Sequence, residues 1–520
     1  MQQDDSLHDT GSESHRLPSV GIIVLLSIAA AKLLVHLYAS QKYGYHIDEL
    51  YYLACSEHLD WGYVDQPPLV PLIAAWSHAL AGDWLTGFRF VPALVAALTV
   101  AATVEFARDL GGGRFAQVMA GVCMLAAPVF MAQGVYVSTD MFQGLTWLGA
   151  SWCVVKVARE HDERWWLAFA LVTAFSLWSK YGIVFFAGAL AVGALFTPLR
   201  RSLARPWIYI AAGLVLLLVL PNLLWQLHHG WPFIELGQTG VNGKNRAMSP
   251  VEFFAQQVLL VGPASILVWG AGLFAFAIKP KLDVLRAFPI AYGLLAVYFI
   301  AEHGKSSYLM PIYPVFFAGG AVFWEEMAKP LWLRAAGLAL PAVAGAMLAP
   351  LAMPILPEST FIAYSAAIGL SPKSTAAENL QLGQLPQHFA DMHGWPQLAA
   401  QIAAVYHRLP PQERANAVFF GTNYGQAAAI DVYGRDLGLP PAISGHNNYY
   451  LWGPRGHDGS VVIEIGGSRE DILRIFESVE QAGVTDEPYA MPYETGQPIW
   501  IERGLKVPLG KLWPKLKKYR

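Results

Sequence analysis

Residues 17–39, LPSVGIIVLLSIAAAKLLVHLYA, form the first long apolar run of the 520-residue chain. An apolar helix of about 20 residues is long enough to cross the ~30 Å hydrocarbon core of a bilayer. A cleavable signal peptide would have a shorter apolar core, followed by a small-residue cleavage site. The run therefore predicts a retained transmembrane helix, preceded by a polar tail at residues 1–16.

Apolar segments of spanning length recur along the first two thirds of the chain. Of all residues, 55% are hydrophobic and only 14% are charged, whereas about 25% are charged in an ordinary soluble protein. The net charge of −3 argues against nucleic-acid binding, which needs a strongly basic domain or stripe. The sequence thus predicts an α-helical polytopic membrane domain at 17–352. Its eleven predicted helices lie at 18–39, 84–107, 115–133, 139–158, 165–179, 181–199, 207–226, 254–278, 286–301, 308–327 and 332–351.

Lys and Arg residues are unevenly distributed between the loops on the two sides of these helices. Most lie in one set of alternate loops, and short basic loops stay in the cytoplasm. This pattern places the N-terminal tail in the cytoplasm and the long loops 40–83 and 227–253 outside. Helical periodicity at 47–59 and 67–80 predicts two surface helices in the first long loop. The second long loop, residues 227–253, is predicted to be a mobile lid.

Beyond residue 351 the composition becomes that of a soluble protein. Residues 353–384 are predicted to be a linker, and 385–505 an α/β domain on the outer side. We expect strands in AVFF, SVVIEI and QPIWIE, and an amphipathic helix over REDILRIFESVEQAG, residues 469–483. The basic tail at 506–520 mixes Lys with Leu and Trp, which fits either a membrane surface or a merely solvated segment.

Two acids, Asp48 and Glu49, follow the first predicted helix within the aromatic stretch YGYHIDELYY, residues 43–52. Asp140 begins another predicted span on the same side, and an acid at the head of a transmembrane segment usually faces a cavity or pathway. All three also fit an ordinary helix start, because acidic groups favour helix N-termini. The spacing alone leaves function and helix capping open.

Cations lie on the same predicted side. Lys180 falls between two apolar spans, and Lys305 with Tyr308 precedes another. A lysine facing a phosphate in a partly dry cleft binds it strongly, although snorkelling of the long side chain would also explain Lys180. Since a transporter places its polar groups near the membrane midplane, this position favours chemistry on a lipid headgroup. A transporter or flippase of a lipid-linked sugar is the alternative.

Six motifs follow one another between about residues 20 and 350: HIDELYY, DQPPLVPLI, GFRFVPALVAALTV, STDMFQGLTW, SKYG and GKSSYLMPIYP. In this order they resemble the GT-C superfamily of membrane glycosyltransferases. More narrowly, they are similar to the bacterial branch of the dolichyl-phosphate-mannose protein mannosyltransferases and aminoarabinose transferases. The resemblance implies transfer of a sugar from a polyprenyl-phosphate carrier to an envelope acceptor, on the periplasmic side of the inner membrane. The acceptor stays open among lipid A, another glycan, a lipid and a protein.

The resemblance also carries catalytic roles onto three acids. Asp48 matches the family's first acid, which acts as general base or as acceptor-orienting group. As a base it would accept the proton of the acceptor hydroxyl during an in-line, inverting attack. Glu49 lies beside it, and Asp140 matches the family's second acid. The three carboxylates are hard ligands that leave a divalent cation open, although their spacing does not require one. No other cofactor is expected.

The remaining candidates are binding residues. The resemblance places three residues near the donor phosphate, and the outer loops add three more: Arg89, Lys305, Tyr308, Lys180, Lys244 and Arg246. The candidate substrate-binding residues flank the acids and a Pro-Pro pair: Tyr45, His46, Tyr52 and Gln66. Gln66 departs from the family, whose members have Lys or His at this position. Phosphate binding therefore has to rely on the other cations.

Overall fold

The computed structural model describes residues 21–372 and 378–520, so the predicted tail at 1–16 lies outside the described residues. Each of the eleven predicted membrane segments contains a helix. By length and hydropathy, six described helices could cross a membrane, or up to eight if each bent pair counts as one; the number of crossings therefore stays a prediction. The helices are Ile22–Ala39, Phe90–Asp109, Arg114–Ala126, Gln143–Glu160, Trp165–Ser179, Ile183–Leu195, Pro206–His228, Pro250–Val261 with Ile266–Ile278, Ala287–Ala301, Tyr313–Met327 and Leu331–Ala352.

The helix predicted over residues 254–278 is broken, so that prediction is wrong. Pro250–Val261 and Pro263–Ile278 meet at an angle of 101°. Gly262, between them, has a φ of 99°, a conformation that glycine adopts without the steric cost of a Cβ. Pro263 has no backbone N–H with which to continue the preceding helix. The break turns the chain sharply within the membrane domain.

The two predicted surface helices of the first outer loop are confirmed, at Ile47–Ser56 and Leu69–Ala81. The second outer loop contains the helix Pro232–Thr239, followed by a wider turn at Gly240–Lys244. Lys517 of the tail pairs with Glu235 at 2.6 Å. This ion pair ties the second outer loop, the predicted lid, to the C-terminal tail.

A four-stranded sheet forms the centre of the predicted α/β domain. Its strands are β1 Ala417–Phe420, β2 Val461–Ile465, β3 Phe476–Val484 and β4 Pro498–Leu505, in the order β1-β2-β4-β3. β1 and β2 are parallel, whereas β4 pairs antiparallel with both β2 and β3. The predicted fold class, an α-helical membrane protein with a C-terminal α/β domain, is confirmed. The helices around the sheet are Gln387–Ala390, Trp395–Arg408, Pro411–Arg414, Tyr424–Ala429, Asn448–Trp452, Arg469–Ile475 and Leu509–Leu512.

The helix predicted over residues 469–483 is wrong in its second half. The helix ends at Ile475, and β3 begins at the next residue. β3 is an edge strand that pairs along its length with β4. Strand formation depends on the neighbouring strand more than on local propensity. The pairing with the following strand β4 therefore outweighs the helical periodicity.

Two segments predicted to be loosely attached are packed. The predicted linker carries the helix Glu358–Ala367, whose Phe361 stacks edge-on against Phe389 with ring centroids 5.1 Å apart. In the basic tail, Trp513 is buried and its indole N–H donates to the Tyr450 carbonyl at 3.0 Å. The apolar residues of the tail thus pack on the α/β domain, in place of either predicted environment.

The α/β domain and the first outer loop share one hydrophobic core. Leu50 of the loop is buried in the same cluster as Trp395 and Ile463 of the domain. Where the two parts meet, a Cβ on Gly425 would lie 2.3 Å from Cγ1 of Ile47, so the close approach requires glycine. The shared core fixes the domain above the outer ends of the membrane helices.

Candidate active site

A cavity of about 1410 Å³ lies where the outer ends of the membrane helices meet the two outer loops and the α/β domain. Its volume exceeds the roughly 300–1,000 Å³ typical of small-molecule sites, so two substrates fit side by side. All of these parts of the chain contribute charged residues to its wall: Asp48, Asp65, Asp140, Lys180, Lys244, Glu302, Lys305, Glu378, Asp391, Lys518 and Arg520.

Asp48 lies in the first turn of the helix Ile47–Ser56, and its side chain is 35% exposed to the cavity. The hydroxyl of Tyr424, in the α/β domain, donates a hydrogen bond to Oδ1 of Asp48 at 2.8 Å. Nδ1 of His46 lies 3.7 Å from Oδ2. These contacts orient the carboxylate and leave it open to a substrate, as a general base requires.

Glu49 points away from the cavity, because successive helical residues are rotated by about 100°. Its carboxylate is fully buried, and Oε2 lies 2.6 Å from Nη2 of Arg89. It also accepts hydrogen bonds from the backbone N–H groups of His46 and Val137, both at 2.9 Å. The bond from His46 belongs to a capping box at the start of the helix. The predicted catalytic role of Glu49 is therefore corrected to a structural one.

Arg89 is fully buried as well and does not line the cavity. Besides its ion pair with Glu49, the guanidinium donates to the carbonyls of Ser40 at 3.1 Å and Gly44 at 2.7 Å. All three of its nitrogens are thus engaged in holding the first outer loop to the membrane domain. The prediction that Arg89 binds the donor phosphate is not supported by this placement.

Asp140 and Lys180, predicted as an acid and a phosphate ligand, pair with each other at the cavity wall. Nζ of Lys180 lies 2.8 Å from both carboxylate oxygens of Asp140. The same ammonium lies 5.3 Å from the centroid of the Tyr308 ring, within the range of a cation–π contact. All three residues line the cavity, and an incoming phosphate has to compete with Asp140 for Lys180.

Lys305 and Lys244 share the carboxylate of Glu378. Lys305 is hydrogen-bonded to Oε1 of Glu378, and Nζ of Lys244 lies 4.0 Å from the same oxygen. Burial opposes the charge of Lys305, but Tyr308 and Glu378 outweigh it and raise the pKa of the lysine above its usual range. Burial likewise opposes the charge of Glu378, and the two lysines lower its pKa. Two cations therefore face one carboxylate, which leaves a positive excess for a phosphate.

Two predicted binding residues do not line the cavity. Arg246 pairs with Glu252, at the start of the helix Pro250–Val261. Tyr45 is only 6% exposed and packs edge-on against Phe88, with ring centroids 5.3 Å apart. Both predictions are corrected on this ground, since neither side chain reaches the space that a substrate would occupy.

The three carboxylates for which a divalent cation was left open do not converge. Asp48 and Asp140 face the cavity, whereas Glu49 is bound to Arg89 in the interior. Among residues 21–372 and 378–520, no group of three or more His, Cys, Asp or Glu is arranged to hold a metal ion.

Three predicted substrate-binding residues, His46, Tyr52 and Gln66, line the cavity. The His46 ring stacks on Tyr136 at a centroid distance of 4.4 Å, and burial lowers its pKa, which keeps it neutral. Gln66 is nearly fully buried, and its Oε1 has no hydrogen-bond partner within the described part of the chain. That amide oxygen is thus a buried acceptor left unsatisfied among the described residues.

Several residues of the wall were not predicted, among them Asp65, Glu378, Asp391, Tyr424, Lys518 and Arg520. Asp65 directly precedes Gln66 and the Pro-Pro pair, so its place in that motif was an available signal. Burial raises the pKa of Asp65 to about 6 and, together with the nearby Asp48, raises that of Asp391 well above its usual range. The others lie in the last third of the chain, where no local pattern reveals that a residue reaches the cavity.

Comparisons with known proteins agree with this architecture. The family model described as dolichyl-phosphate-mannose-protein mannosyltransferase matches residues 65–225. Lipid A galacturonosyltransferase RgtD of Rhizobium johnstonii is 22% identical over 250 residues, which are 47% of this chain and 52% of that protein. The chain thus spans about half the length of this curated relative.

Two solved structures share the fold. ArnT from Cupriavidus metallidurans, bound to undecaprenyl phosphate, has a TM-score of 0.60 and 14% identity, over 92% of this chain and 97% of that one. The mycobacterial arabinofuranosyltransferase AftD has a TM-score of 0.51 and 13% identity, over 94% of this chain and 40% of that one. Part of the sequence is thus similar to a family of mannosyltransferases and to a galacturonosyltransferase, and the chain shares the fold of ArnT and AftD.

Proposed function

We propose that the protein transfers a sugar from a polyprenyl-phosphate donor to an envelope acceptor on the periplasmic side of the bacterial inner membrane. One observation carries this proposal: the open carboxylate of Asp48 shares a cavity, at the outer ends of the membrane helices, with Lys180, Lys244 and Lys305. A base and a cluster of cations at a membrane boundary are what transfer from a lipid phosphate needs. The undecaprenyl phosphate in the ArnT structure makes that lipid the first carrier to test.

The proposed reaction is a single in-line displacement. Asp48 takes the proton of an acceptor hydroxyl, whose oxygen forms a bond to the anomeric carbon of the sugar. The bond from that carbon to the phosphate oxygen breaks on the opposite side, and its electron pair stays with the phosphate, so the anomeric configuration inverts. The negative charge on the phosphate grows as the bond breaks, and Lys305 and Lys244 stabilise it.

Carboxylates occupy these lysines before a donor arrives. Glu378 pairs with Lys305, and Asp140 pairs with Lys180. The donor phosphate is a diester with one negative charge, like a carboxylate, and it gains a second charge as its bond to the sugar breaks, so it competes best for an ammonium group at that stage. We therefore expect the donor phosphate to enter beside Glu378 and to draw Lys305 and Lys244 toward itself.

The charges at the other end of the membrane helices support the periplasmic assignment. Asp109 ends the helix that begins at Phe90 near the first outer loop, and it pairs there with Lys156 and Arg159. The basic loops thus meet at the end opposite to the cavity. Basic loops remain in the cytoplasm, which supports a periplasmic position for the cavity and the α/β domain.

Replacing the proposed base tests the function directly. Asp48→Asn should abolish transfer from an undecaprenyl-phosphate-linked sugar, because an amide cannot accept the proton, while binding of undecaprenyl phosphate stays close to wild type. Transfer to lipid A, the acceptor suggested by the name of RgtD, is measured by mass spectrometry on protein in nanodiscs. Asp83→Asn, an exposed acid of the same loop outside the cavity, is the matched control. Wild-type turnover by Asp48→Asn would contradict the base assignment.

The acceptor and the sugar are identified in cells. Mass spectra of envelope glycans and lipid A, compared with and without the protein, should differ by one sugar on one acceptor. A lipid-linked sugar that merely accumulates on one side of the membrane, with no altered acceptor, would point to transport instead of transfer.

A further inference from the structure

Two cations of the cavity wall come from the C-terminal tail. Lys518 and Arg520 both line the cavity. Within residues 21–372 and 378–520, neither has a carboxylate within 4.0 Å in the ion pairs of the structure, in contrast to Lys180 and Lys305, which are paired with Asp140 and Glu378. The Lys518 ammonium donates to the Thr422 carbonyl at 3.2 Å, and Glu494 acts on it only from beyond ion-pair distance.

The tail is held in place by its backbone. The Lys518 N–H donates to the Gly445 carbonyl at 2.9 Å, and the Lys518 carbonyl accepts from the Asn447 N–H at 3.0 Å. The Arg520 N–H donates to Oδ1 of Asn447 at 3.1 Å. A Cβ on Gly445 would lie 1.9 Å from the Leu516 carbonyl oxygen, so only glycine admits the tail here. Lys518 and Arg520 therefore sit at a fixed position, not on a free end.

His446 marks the point where these cations converge. Its Nδ1 accepts a hydrogen bond from the Tyr424 N–H at 3.2 Å, and its Nε2 donates to the Arg520 carbonyl at 3.2 Å, as in a neutral imidazole. Burial, together with the charges of Lys518, Lys244 and Arg520, lowers the pKa of His446 to about 3. Three cations thus act on one neutral ring at the cavity wall.

Two acids on this side of the cavity, Asp65 and Glu494, already accept hydrogen bonds from neighbouring side chains. Asp65 accepts hydrogen bonds from the Tyr51 hydroxyl at 3.0 Å and the Asn447 amide at 3.3 Å, and burial raises its pKa to about 6. Glu494 accepts from Asn423 and Gln426, each at 2.7 Å, and burial raises its pKa to about 7. On the side of the cavity around His446, the positive charges of Lys518 and Arg520 therefore outweigh the negative charges of these two acids.

We propose that Lys518 and Arg520 form a second anion subsite on the cavity wall, which takes a phosphate group of the acceptor. The Lys518 ammonium binds a phosphate oxygen as a point charge, and the Arg520 guanidinium binds it through a planar pair of N–H groups. Lys244 and Lys305, the proposed ligands of the donor phosphate, line the same cavity. The assignment of this anion to the acceptor rests on the proposed transferase function. The expectation that an anion binds here does not depend on that function.

Binding tests the subsite without any turnover. The full chain in nanodiscs is saturated with undecaprenyl phosphate and titrated with inorganic phosphate by calorimetry. We expect additional phosphate binding that weakens about tenfold or more in the Lys518→Gln/Arg520→Gln variant, because a hydrogen bond to a charged group contributes about one to two factors of ten. The affinity for undecaprenyl phosphate should not change.

Lys511→Gln/Lys515→Gln is the matched control, since it removes the same charge from exposed residues of the same tail that lie outside the cavity. It should bind phosphate as the wild type does. The subsite would be overturned if phosphate binding were unchanged in Lys518→Gln/Arg520→Gln, or if the control lost it equally. It would also be overturned if the phosphate were an adventitious ion only, which physiological salt releases.

A second measurement identifies the source of the anion. With phosphorylated lipid A as acceptor, Lys518→Gln/Arg520→Gln should raise the acceptor KM about tenfold and leave kcat nearly unchanged. With lipid A that lacks its phosphates, wild type and variant should behave alike. A change in the KM of a uronic-acid donor, with an unchanged acceptor KM, would reassign the subsite to the donor sugar. If no acceptor is glycosylated at all, the proposed function fails, while the phosphate titration still decides on the subsite.

Discussion

Asp48 and Glu49 are neighbours in the chain, yet their side chains serve different parts of the molecule. The helical rotation between them sends Asp48 into the cavity and Glu49 into the interior, where it meets Arg89. Removing one partner of a buried ion pair leaves an uncompensated charge, which costs far more than the pair contributes. The consequence of losing Glu49 should therefore appear in stability.

We expect Glu49→Gln to destabilise the protein by about 3–5 kcal/mol, measured by thermal unfolding of the purified protein in detergent. Adding Arg89→Met to that variant should recover part of the loss, because both charges are then absent. Glu57→Gln is the control, since Glu57 follows the same helix and its pair with Arg435 is exposed, so its loss should cost less than about 1 kcal/mol. A stable Glu49→Gln protein without transferase activity would restore the catalytic assignment.

At the scale of elements, the sheet of the α/β domain carries an unusual pair of acids. Glu464 on β2 and Glu502 on β4 lie diagonally across adjacent antiparallel strands, on the same face. Burial raises the pKa of both carboxyls, and Glu464 raises that of Glu502 further. The folded state therefore binds protons that the unfolded chain releases near pH ~4.3. This contribution to stability is complete below that pH and is lost as the pH rises through the raised values.

Glu502→Gln should therefore raise the unfolding temperature of the full chain at about pH 8.5 and change it little at about pH 5. The amide stays neutral, so the cost of burying a charge disappears. Glu477→Gln, an exposed acid on the edge strand β3, should show no such dependence on pH. An equal loss of stability at both pH values would mean that the carboxyl pair stabilises the sheet through its shape alone.

The sequence predicts these elements unevenly. Apolar runs locate the membrane helices because their length is dictated by the bilayer. Asp48, Asp140, Lys180 and Lys305 are found at the cavity because a position at the outer end of a span already places them there. Strand β3 depends on its pairing with the following strand β4, and the position of the C-terminal tail depends on hydrogen bonds with Gly445 and Asn447. Neither partner leaves a local periodicity in the sequence. The direction of Glu49 depends on the helical phase, which the sequence alone does not fix.

At the scale of the whole molecule, the cavity brings together residues of the first outer loop and of the C-terminal α/β domain. Tyr424 of the α/β domain donates the hydrogen bond that orients Asp48 of the first outer loop. Tyr424→Phe should lower kcat about tenfold, since a hydrogen bond to a charged group contributes ~1.5–3 kcal/mol, while undecaprenyl phosphate binds as before. Tyr406→Phe, in the same domain but outside the cavity, should have no effect. A parallel loss of lipid binding would indicate that Tyr424 supports the fold instead of the base.

The core shared by the first outer loop and the α/β domain also bears on biogenesis. Synthesis delivers Leu50 to the membrane early, whereas Ile463, its partner in the core, follows only after most of the chain has been made. Until then the nascent loop keeps its apolar residues uncovered and Asp48 lacks its hydrogen-bond donor. A polypeptide released early by the ribosome would therefore expose the apolar side chains of the first outer loop. The common core can close only after the α/β domain has been made.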